Sequence, residues 1–315
     1  MTWVSAPVAE PGGPGGPEPP EPPGGAGPGR FRLGLLRLNR RLLLFLMSKF
    51  VPMVDGIELS LFQVRPFLGN LWVGLDNYRT VLSDPLFSSA LQHTVVLAAG
   101  QTLGSMLVGF LLALLLEGHA RSLWFVRSAV FLPVVTATAV VGQIWRLLMF
   151  SGRQGFLNTI LGYAGLGPFP FLDDSGTALW SVMLVDIWKG APYDMVIILA
   201  GLAGVDRQLY EAAAIDGAST GQRLRPITLP ALRPVITILL TLAAIRGLRT
   251  FTEVFVLTGG GPAGATEVWM TRVFTVGFES GNDIGVASAA SVLLFLATLA
   301  LTVAIRIYRR RKDLA

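Results

Sequence analysis

Apolar residues along this chain come in blocks long enough to cross a lipid bilayer, which takes about 20 predominantly apolar residues. The blocks predict six transmembrane helices, at about residues 42–64, Thr94–Leu116, Ser128–Phe150, Thr177–Ala203, Val235–Leu257 and Ile284–Ile307. The pattern therefore predicts an all-α membrane protein. An even number of spans places both ends of the chain on the same side of the membrane.

The first predicted span is the weakest of the set. Lys49, Asp55 and Glu58 interrupt its apolar run. A charge at the centre of a membrane helix costs about 2.5 to 3.5 kcal/mol on insertion scales. We therefore expect this span to be short or to be held by neighbouring helices.

The first 29 residues differ from the rest of the chain. They are dominated by proline and glycine and contain no apolar run. Such a segment cannot bury enough surface to offset the entropy lost on ordering. We expect a disordered cytosolic tail over residues 1–29, with no signal-peptide cleavage because the charged start and apolar centre of a signal peptide are missing. The membrane domain is expected over residues 30–315.

Composition and charge support a membrane location. Of the 315 residues, 52% are hydrophobic and 14% are charged, against about 25% charged in soluble domains. The net charge of +5 comes from basic residues that flank the apolar blocks, at Arg30–Arg41 and near the C-terminus. By the positive-inside rule these flanks, and the loop at about 204–234, face the cytosol. The topology is therefore expected to be N-in and C-in, and nucleic acid is not an expected partner.

Catalytic chemistry has little support in the sequence. The chain has no cysteine, which excludes a thiol nucleophile and a cysteine zinc site, and its two histidines offer few groups for metal binding or general-base chemistry. No GxxxxGK[ST] phosphate loop is present, and the glycines at 259–261 followed by Pro262 indicate a turn. We predict no catalytic, cofactor or metal residues in this chain, and any ATP that drives it would have to be bound by a partner chain.

The loop between the fourth and fifth predicted spans has the chemistry of a short surface helix followed by a break. Its sequence is LYEAAAIDGASTGQRLRPITLPALRP. Residues 211–214 favour a helix, and Gly217 can end it. Pro230 and Pro234 indicate the start of the next span. A helix with small side chains can lie in a groove of a partner protein.

This loop resembles the EAA loop of binding-protein-dependent ABC importer permeases. The motif is E-A-A, three residues, G, nine residues, then I-x-L-P. The positions that match it without a gap are Glu211, Ala212, Ala213, Gly217, Ile227, Leu229 and Pro230. The resemblance implies the type I ABC importer permease fold, with the loop as a coupling helix that docks on an ATPase subunit through Glu211, Ala212, Ala213, Asp216 and Gly217.

Other segments resemble the carbohydrate branch of the family, which handles maltose, trehalose and glycerol-phosphate-like solutes. They are VGLDNYRTVLSDPLF, GFLNTILGYAGLGPFPFLDD, VLTGGGPAGAT and GVASAASVLLF. The resemblance implies half of a translocation path for a sugar or sugar-like solute in the cytoplasmic membrane. The implied partners are two ATPase subunits that bind ATP and Mg²⁺, a second homologous permease, and an extracytoplasmic solute-binding protein or lipoprotein.

Candidates for the solute path are charged and aromatic residues inside the predicted spans, because intramembrane charges are costly and mark functional sites. They are Asp186, Trp188, Lys189, Arg249, Phe251 and Glu253. An alternative is purely structural: Asp186 with Lys189, and Arg249 with Glu253, have the i,i+3 and i,i+4 spacings of intrahelical ion pairs. Aromatic residues near span ends are also typical membrane-interface anchors.

Three other functions fit parts of this pattern. An importer permease for another small solute, such as an amino acid or a glycerophosphodiester, also carries an EAA loop. A secondary carrier could use six helices with buried charges, but such a protein has no reason to display an EAA helix. A membrane-embedded enzyme would need a cluster of His, Asp or Glu at one depth, and the sequence shows none.

Overall fold

The computed structural model describes residues 28–65, 67–118, 121–279 and 282–313, and most of them are helical. In chain order the elements are α1 (Pro28–Leu59), β1 (Phe62–Gln63), β2 (Leu71–Trp72), α2 (Asp76–Ser83), α3 (Pro85–Leu115), α4 (Arg121–Val135), α5 (Thr138–Leu148), α6 (Phe156–Tyr163), α7 (Ala178–Ala203), α8 (Arg207–Ile215), α9 (Thr220–Arg223), α10 (Leu229–Leu248), α11 (Thr252–Leu257), α12 (Trp269–Phe274) and α13 (Ile284–Asp313). π-Helical turns at Leu224–Thr228 and Thr275–Glu279 precede α10 and follow α12.

The N-terminal segment forms a unit of its own up to Met53, and the second unit begins at Val54. In the first unit the side chains of residues 43–53 are exposed. The predicted disordered tail, residues 1–29, lies outside the described residues except for Pro28 and Gly29, where α1 begins.

The core of the second unit is built around α3, which packs against both α7 and α10. Glycines allow the backbones to approach closely. A Cβ on Gly109 of α3 would lie 2.8 Å from the Ala191 carbonyl oxygen of α7, and a Cβ on Gly247 of α10 would lie 2.7 Å from Ala98 Cα. Leu97, Met195, Ile198 and Leu239 are at most 1% exposed in this core. The three helices therefore form the frame on which the site is built.

Polar contacts hold the start of α3 and connect α12 to α3 and to α13. Asp84 caps α3 by accepting a hydrogen bond from the Leu86 N–H at 2.8 Å, and Pro85 occupies the first turn, where no N–H is needed. The same carboxylate pairs with Arg272 of α12 at 3.1 Å. The indole of Trp269 on α12 contacts α13, where its Nε1–H donates to the Ala290 carbonyl oxygen at 2.9 Å.

Among the described residues, three helices are long and apolar enough to cross a membrane, at Pro85–Leu115, Gly221–Leu248 and Ile284–Ile307. Ser122–Val135 and Thr138–Leu148 make a fourth if the bent pair counts as one span. Helix α7 is 26 residues long and mostly apolar but carries three charges, Asp186, Lys189 and Asp194. The helical membrane fold is thus present, whereas the count of six spans and the N-in, C-in orientation stay predictions.

Two predicted spans are interrupted, contrary to the sequence-based expectation of continuous helices. The span predicted at Ser128–Phe150 starts earlier, at Arg121, and bends by 97° between α4 and α5. Pro133 lies in the last turn of α4 and has no N–H, so that turn lacks one backbone hydrogen bond. A β-branched run follows it. The span predicted at Val235–Leu257 ends at Leu248, and the chain restarts as α11 at Thr252.

The helix in the region of the first predicted span has a different end from the predicted one. The helix ends at Leu59 rather than at residue 64, and Phe62–Gln63 form a short strand instead. This strand pairs antiparallel with Leu71–Trp72, and the rings of Phe62 and Trp72 meet edge to face at 5.0 Å between centroids. The all-α prediction therefore holds apart from this two-stranded hairpin.

Candidate functional site

A polar cavity of about 550 Å³ lies between α3, α7 and α10. Its size falls in the range of small-molecule sites. The polar residues that line it are Gln101, Thr102 and Ser105 of α3, Asp186, Lys189 and Tyr193 of α7, and Arg246, Arg249, Thr250 and Glu253 of α10, the following break and α11. Four of the predicted solute-path residues therefore meet in one cavity: Asp186, Lys189, Arg249 and Glu253.

One end of the cavity is organised by a buried carboxylate. The Asp194 side chain is fully buried and accepts hydrogen bonds from Arg246 Nη2 at 2.8 Å and from Ser105 Oγ at 2.7 Å. The Arg246 guanidinium also lies over the Tyr193 ring, 4.7 Å from its centroid. A buried charge is tolerated when it is paired and hydrogen-bonded. This cluster ties α3, α7 and α10 together while leaving Arg246 partly exposed to the cavity.

A second ion pair lies beside the break between α10 and α11. Lys189 Nζ of α7 contacts Glu253 Oε1 of α11 at 3.4 Å and donates to Thr138 Oγ1, at the first residue of α5. Glu253 is in the first turn of α11, where a negative charge is favourable. The Lys189 ammonium therefore joins three helices.

Asp186 has a different partner. With the Gln101 amide oriented to suit its neighbours, its nitrogen donates to Asp186 Oδ2 at 2.7 Å and its oxygen accepts from the Gly247 N–H at 3.1 Å. The Asp186 carboxylate is buried. It is thus held by a neutral amide rather than by the lysine three residues further on.

The intrahelical ion pairs expected from sequence spacing are absent from the described part of the chain. Lys189 pairs with Glu253 and Asp194 pairs with Arg246, both between helices. The reason is geometric for Arg249, because the break at 249–251 removes the continuous helix that an i,i+4 pair with Glu253 requires. The Arg249 side chain lines the cavity and has no ion-pair partner among the described residues.

The two aromatic candidates lie outside the cavity lining. Trp188 meets Trp145 edge to face at 5.3 Å between centroids. Phe251 stacks on Phe255 at 5.2 Å and contacts Phe274 at 5.5 Å. The aromatic side chain that borders the cavity is Tyr193.

The loop after α7 contains a short helix, as its sequence predicts, and this helix ends at Ile215, two residues before Gly217. Asp206 caps the start of α8 by accepting from the Gln208 N–H at 2.9 Å. At the other end the Gly217 N–H donates to the Ala214 carbonyl and the Ala218 N–H to the Ala213 carbonyl. These two bonds make a Schellman motif, and Gly217 has the positive φ of +77° that this motif needs.

Helix α8 buries no residue against the rest of the chain. Glu211, Ala212, Asp216 and Gly217 are exposed, and Ala213 is half-buried. Two apolar side chains also face outward, Leu209 at 51% and Ile215 at 87% exposure. The surface of α8 therefore offers carboxylates and apolar side chains that none of the described residues covers.

The family model described as "Binding-protein-dependent transport system inner membrane component" matches residues 93–313, a stretch that holds the cavity residues and α8. The chain belongs to this family. The permease is 34% identical over 286 residues to the trehalose/maltose transport system permease protein MalF of Thermococcus litoralis, over 90% of this chain and 95% of the relative. It is also 34% identical to the sn-glycerol-3-phosphate transport system permease protein UgpA of Agrobacterium fabrum, over 86% and 92% of the two chains.

Solved structures agree with this membership. The permease superposes with a TM-score of 0.78 and 25% identity on a chain from a bacterial ABC transporter involved in the import of the acidic polysaccharide alginate, covering 90% of this chain and 96% of that one. A second structure, of the alginate transporter in complex with a pentasaccharide-bound periplasmic protein, gives a TM-score of 0.77. The family predicted from the EAA loop is confirmed, and the permease is an inner-membrane component of an ABC importer.

Several residues that line the cavity of the permease, and one on the surface of α8, were not among the sequence-based candidates. Gln101 and Ser105 of α3 are polar residues four apart in an apolar span, and this i,i+4 spacing is the signal that could have found them. Tyr193 is spaced one turn from Lys189 on α7. Ile215 follows directly on the E-A-A-A run, and its exposure becomes evident only from the structure.

Proposed function

We propose that this permease forms half of the translocation path of a sugar importer and that the α3–α7–α10 cavity is its part of the solute site. The observation that carries the proposal is the cavity itself: it is lined by amide, hydroxyl, carboxylate and cationic groups, and two of its cations, Lys189 and Arg246, are paired with carboxylates of the same chain. Paired charges present hydrogen-bonding groups with little net field, which suits a neutral polyhydroxylated solute.

The names of the relatives support the same solute class. The relatives at 34% identity include a trehalose/maltose permease protein, and the superposed structures belong to a polysaccharide importer. An sn-glycerol-3-phosphate permease protein at the same identity favours one alternative, a glycerol-phosphate-like solute. Arg249, which lacks an ion-pair partner in the described part of the chain, is the group that would hold a phosphate in that case.

The complete transporter we propose contains a second, homologous permease, two ATPase subunits and an extracytoplasmic solute-binding protein. Helices α1 and α7 would complete six spans of the type I fold, with both termini in the cytosol. ATP and Mg²⁺ are bound by the ATPase subunits, and this chain contributes no catalytic residue. The absence of a Walker loop from the sequence supports that division of labour.

Helix α8 is the proposed docking element for one ATPase. Glu211, Ala212, Ala213, Asp216 and Gly217 form the predicted contact, and Ile215 adds an apolar anchor that is 87% exposed in the isolated chain. An amphipathic helix laid in a groove is a recurring mode of recognition between proteins. When ATP brings the ATPases together, the coupling helices would move with them, and the cavity would open toward the binding protein.

The experiment that tests the solute class is purification of the complex with its binding protein, followed by identification of the bound small molecule and by uptake of that molecule into proteoliposomes. A di- or oligosaccharide supports the proposal, and a glycerophosphate or phosphodiester supports the alternative. An amino acid or a metal ion would contradict both. Uptake that continues after the ATPase subunits are inactivated would contradict the importer mechanism.

A further inference from the structure

The two interrupted membrane helices of this permease are joined by one side chain. The first interruption separates α4 from α5 at residues 136–137, and the second separates α10 from α11 at residues 249–251. Thr138 is the first residue of α5, and Glu253 is the second residue of α11. Lys189 of α7 contacts both of these residues, so the starts of α5 and α11 meet at a single ammonium group.

The environment of this contact makes it strong enough to position helices. The Lys189 and Glu253 side chains are 17% and 23% exposed, so water screens their attraction only in part. Asp186 lies one turn from Lys189 on α7 and adds a second negative charge near it, while Gln101 satisfies its carboxylate. An ammonium has three donors, and Thr138 and Glu253 take two of them.

Beyond their starts, α5 and α11 pack directly against each other. A Cβ on Gly142 of α5 would lie 2.7 Å from Val256 Cγ1 of α11, so only glycine allows this approach. Val141 of α5 and Val254 and Leu257 of α11 share one buried cluster with Val182 of α7. The two short helices therefore behave as one packed pair, which we call the α5–α11 pair.

This pair can change position without unfolding a long helix, because each member is separated from its parent helix by a break in the backbone hydrogen bonding. Hinges in proteins are a few residues at the ends of elements that absorb the change in φ and ψ. Residues 136–137 and 249–251 have this place in the chain. The contacts of Lys189 lie beside both hinges.

We propose that Lys189 is a positioning residue of the transport cycle: its ammonium holds the starts of α5 and α11 against α7 in the conformation described here and releases the α5–α11 pair in the other. The inference rests on the proposed importer function for its role in transport, but the positioning itself can be measured without solute or nucleotide. It assigns Lys189 a role through other residues rather than through direct contact with solute.

The test is a distance measurement in the intact complex by double electron–electron resonance. The chain has no cysteine, so Leu91→Cys on α3 and Leu147→Cys on α5, both exposed, give two defined labelling sites in it, with the partner subunits made cysteine-free. Without nucleotide, we expect one narrow distance distribution in the wild type and in Lys189→Arg, and a broad or shifted one in Lys189→Met. We expect the wild-type distance to change with ATP and vanadate. Arg306→Met on α13 removes a remote, exposed cation as a matched control.

Transport provides the second readout. We expect uptake of the solute that copurifies with the binding protein to fall by about tenfold or more in Lys189→Met, as expected for loss of a charge-assisted hydrogen bond. The exchange of Lys189→Glu with Glu253→Lys should restore a narrow distribution. If Lys189→Met does not accumulate, Glu253→Gln breaks the same ion pair, and the same broadening is expected.

A wild-type distance distribution in both Lys189→Met and Glu253→Gln would overturn the proposal, even if uptake fell, because Lys189 would then act only by touching the solute. A wild-type distance that does not change with ATP and vanadate in a complex that imports its solute would overturn the release step. Failure of the importer function would look different: the wild type would show no ATP-dependent uptake, while the effect of Lys189→Met on the nucleotide-free distance would persist.

Discussion

The cavity wall and helix α8 differ in whether their charged groups have partners within the described part of the chain. In the wall, Asp194, Lys189 and Asp186 each have a partner on another helix of the same chain. On α8, Glu211 and Asp216 have no ion-pair partner among the described residues, and Ile215 is 87% exposed. These three charges of the wall are therefore satisfied within one chain, with Arg249 as the exception, whereas the carboxylates of α8 face outward.

The largest expected effect breaks the buried pair in the wall. Asp194→Leu leaves Arg246 without its carboxylate and Ser105 without its acceptor. We expect the free energy of unfolding to fall by about 3 kcal/mol, the low end for a broken buried pair, because Arg246 is 41% exposed and regains water. Thermal unfolding in detergent measures it.

The matched control for this change is Asp216→Leu on α8, which removes the same carboxylate from an exposed position. Its effect on unfolding should stay within about 0.5 kcal/mol. Equal losses of stability for the two variants would contradict the contrast between wall and surface.

A smaller loss of stability is expected when the Gln101 amide, which holds Asp186, is removed. Gln101→Leu removes the donor to Asp186 Oδ2 and the acceptor of the Gly247 N–H. Leaving buried polar groups without partners costs about 1 to 3 kcal/mol. Gln101→Glu should be worse than Gln101→Leu, since it places a second carboxylate beside Asp186. The measurement is the free energy of unfolding of the wild type, Gln101→Leu and Gln101→Glu under the same conditions. A Gln101→Glu variant as stable as the wild type would show that Asp186 has another partner.

A further loss of stability, of about 1 kcal/mol, is expected from a substitution at the end of α8. Gly217 has φ of +77°, and a Cβ there would have no atom of the described residues within 4 Å. Gly217→Ala should cost about 1 kcal/mol through the left-handed backbone alone, and Gly217→Asn less, because asparagine tolerates this region. The larger asparagine side chain should nevertheless reduce ATPase copurification more than alanine if the partner packs closely on this position. The reverse order in copurification would mean that backbone geometry, not space, determines docking.

The sequence predicts α8 well because its signals are local. The glycine six residues after Glu211 marks where α8 stops, and the family follows from the spacing of the motif. The helix starts before the E-A-A run, at Arg207, where Asp206 caps it. The lining of the cavity between α3, α7 and α10 could be predicted in part: Asp186, Lys189, Arg249 and Glu253 line it, whereas Trp188 and Phe251 do not.

The rest of the cavity could not be predicted from spacing because its contacts join distant segments. Lys189 and Glu253 are 64 positions apart, and Asp194 and Arg246 are 52 apart. For Lys189 and Glu253, the same-helix partners Asp186 and Arg249 have suitable spacings in the sequence. The breaks at 136–137 and 249–251 are not evident from the apolar pattern, because that pattern continues across them. The sequence signal for the first break is Pro133 with the β-branched run that follows it.

Helix α8 is exposed, we propose, because it docks on an ATPase subunit. The direct test is ATPase copurification and solute uptake for Ile215→Ser and Glu211→Gln, in membranes that hold normal amounts of each variant. Both side chains lie outside the buried core, so we expect unfolding to change by less than about 0.5 kcal/mol. We expect Ile215→Ser to lose most of the ATPase, by about 2 kcal/mol of binding free energy as at an interface hot spot, and uptake to fall with it. Full uptake and normal ATPase retention in both variants would contradict the account.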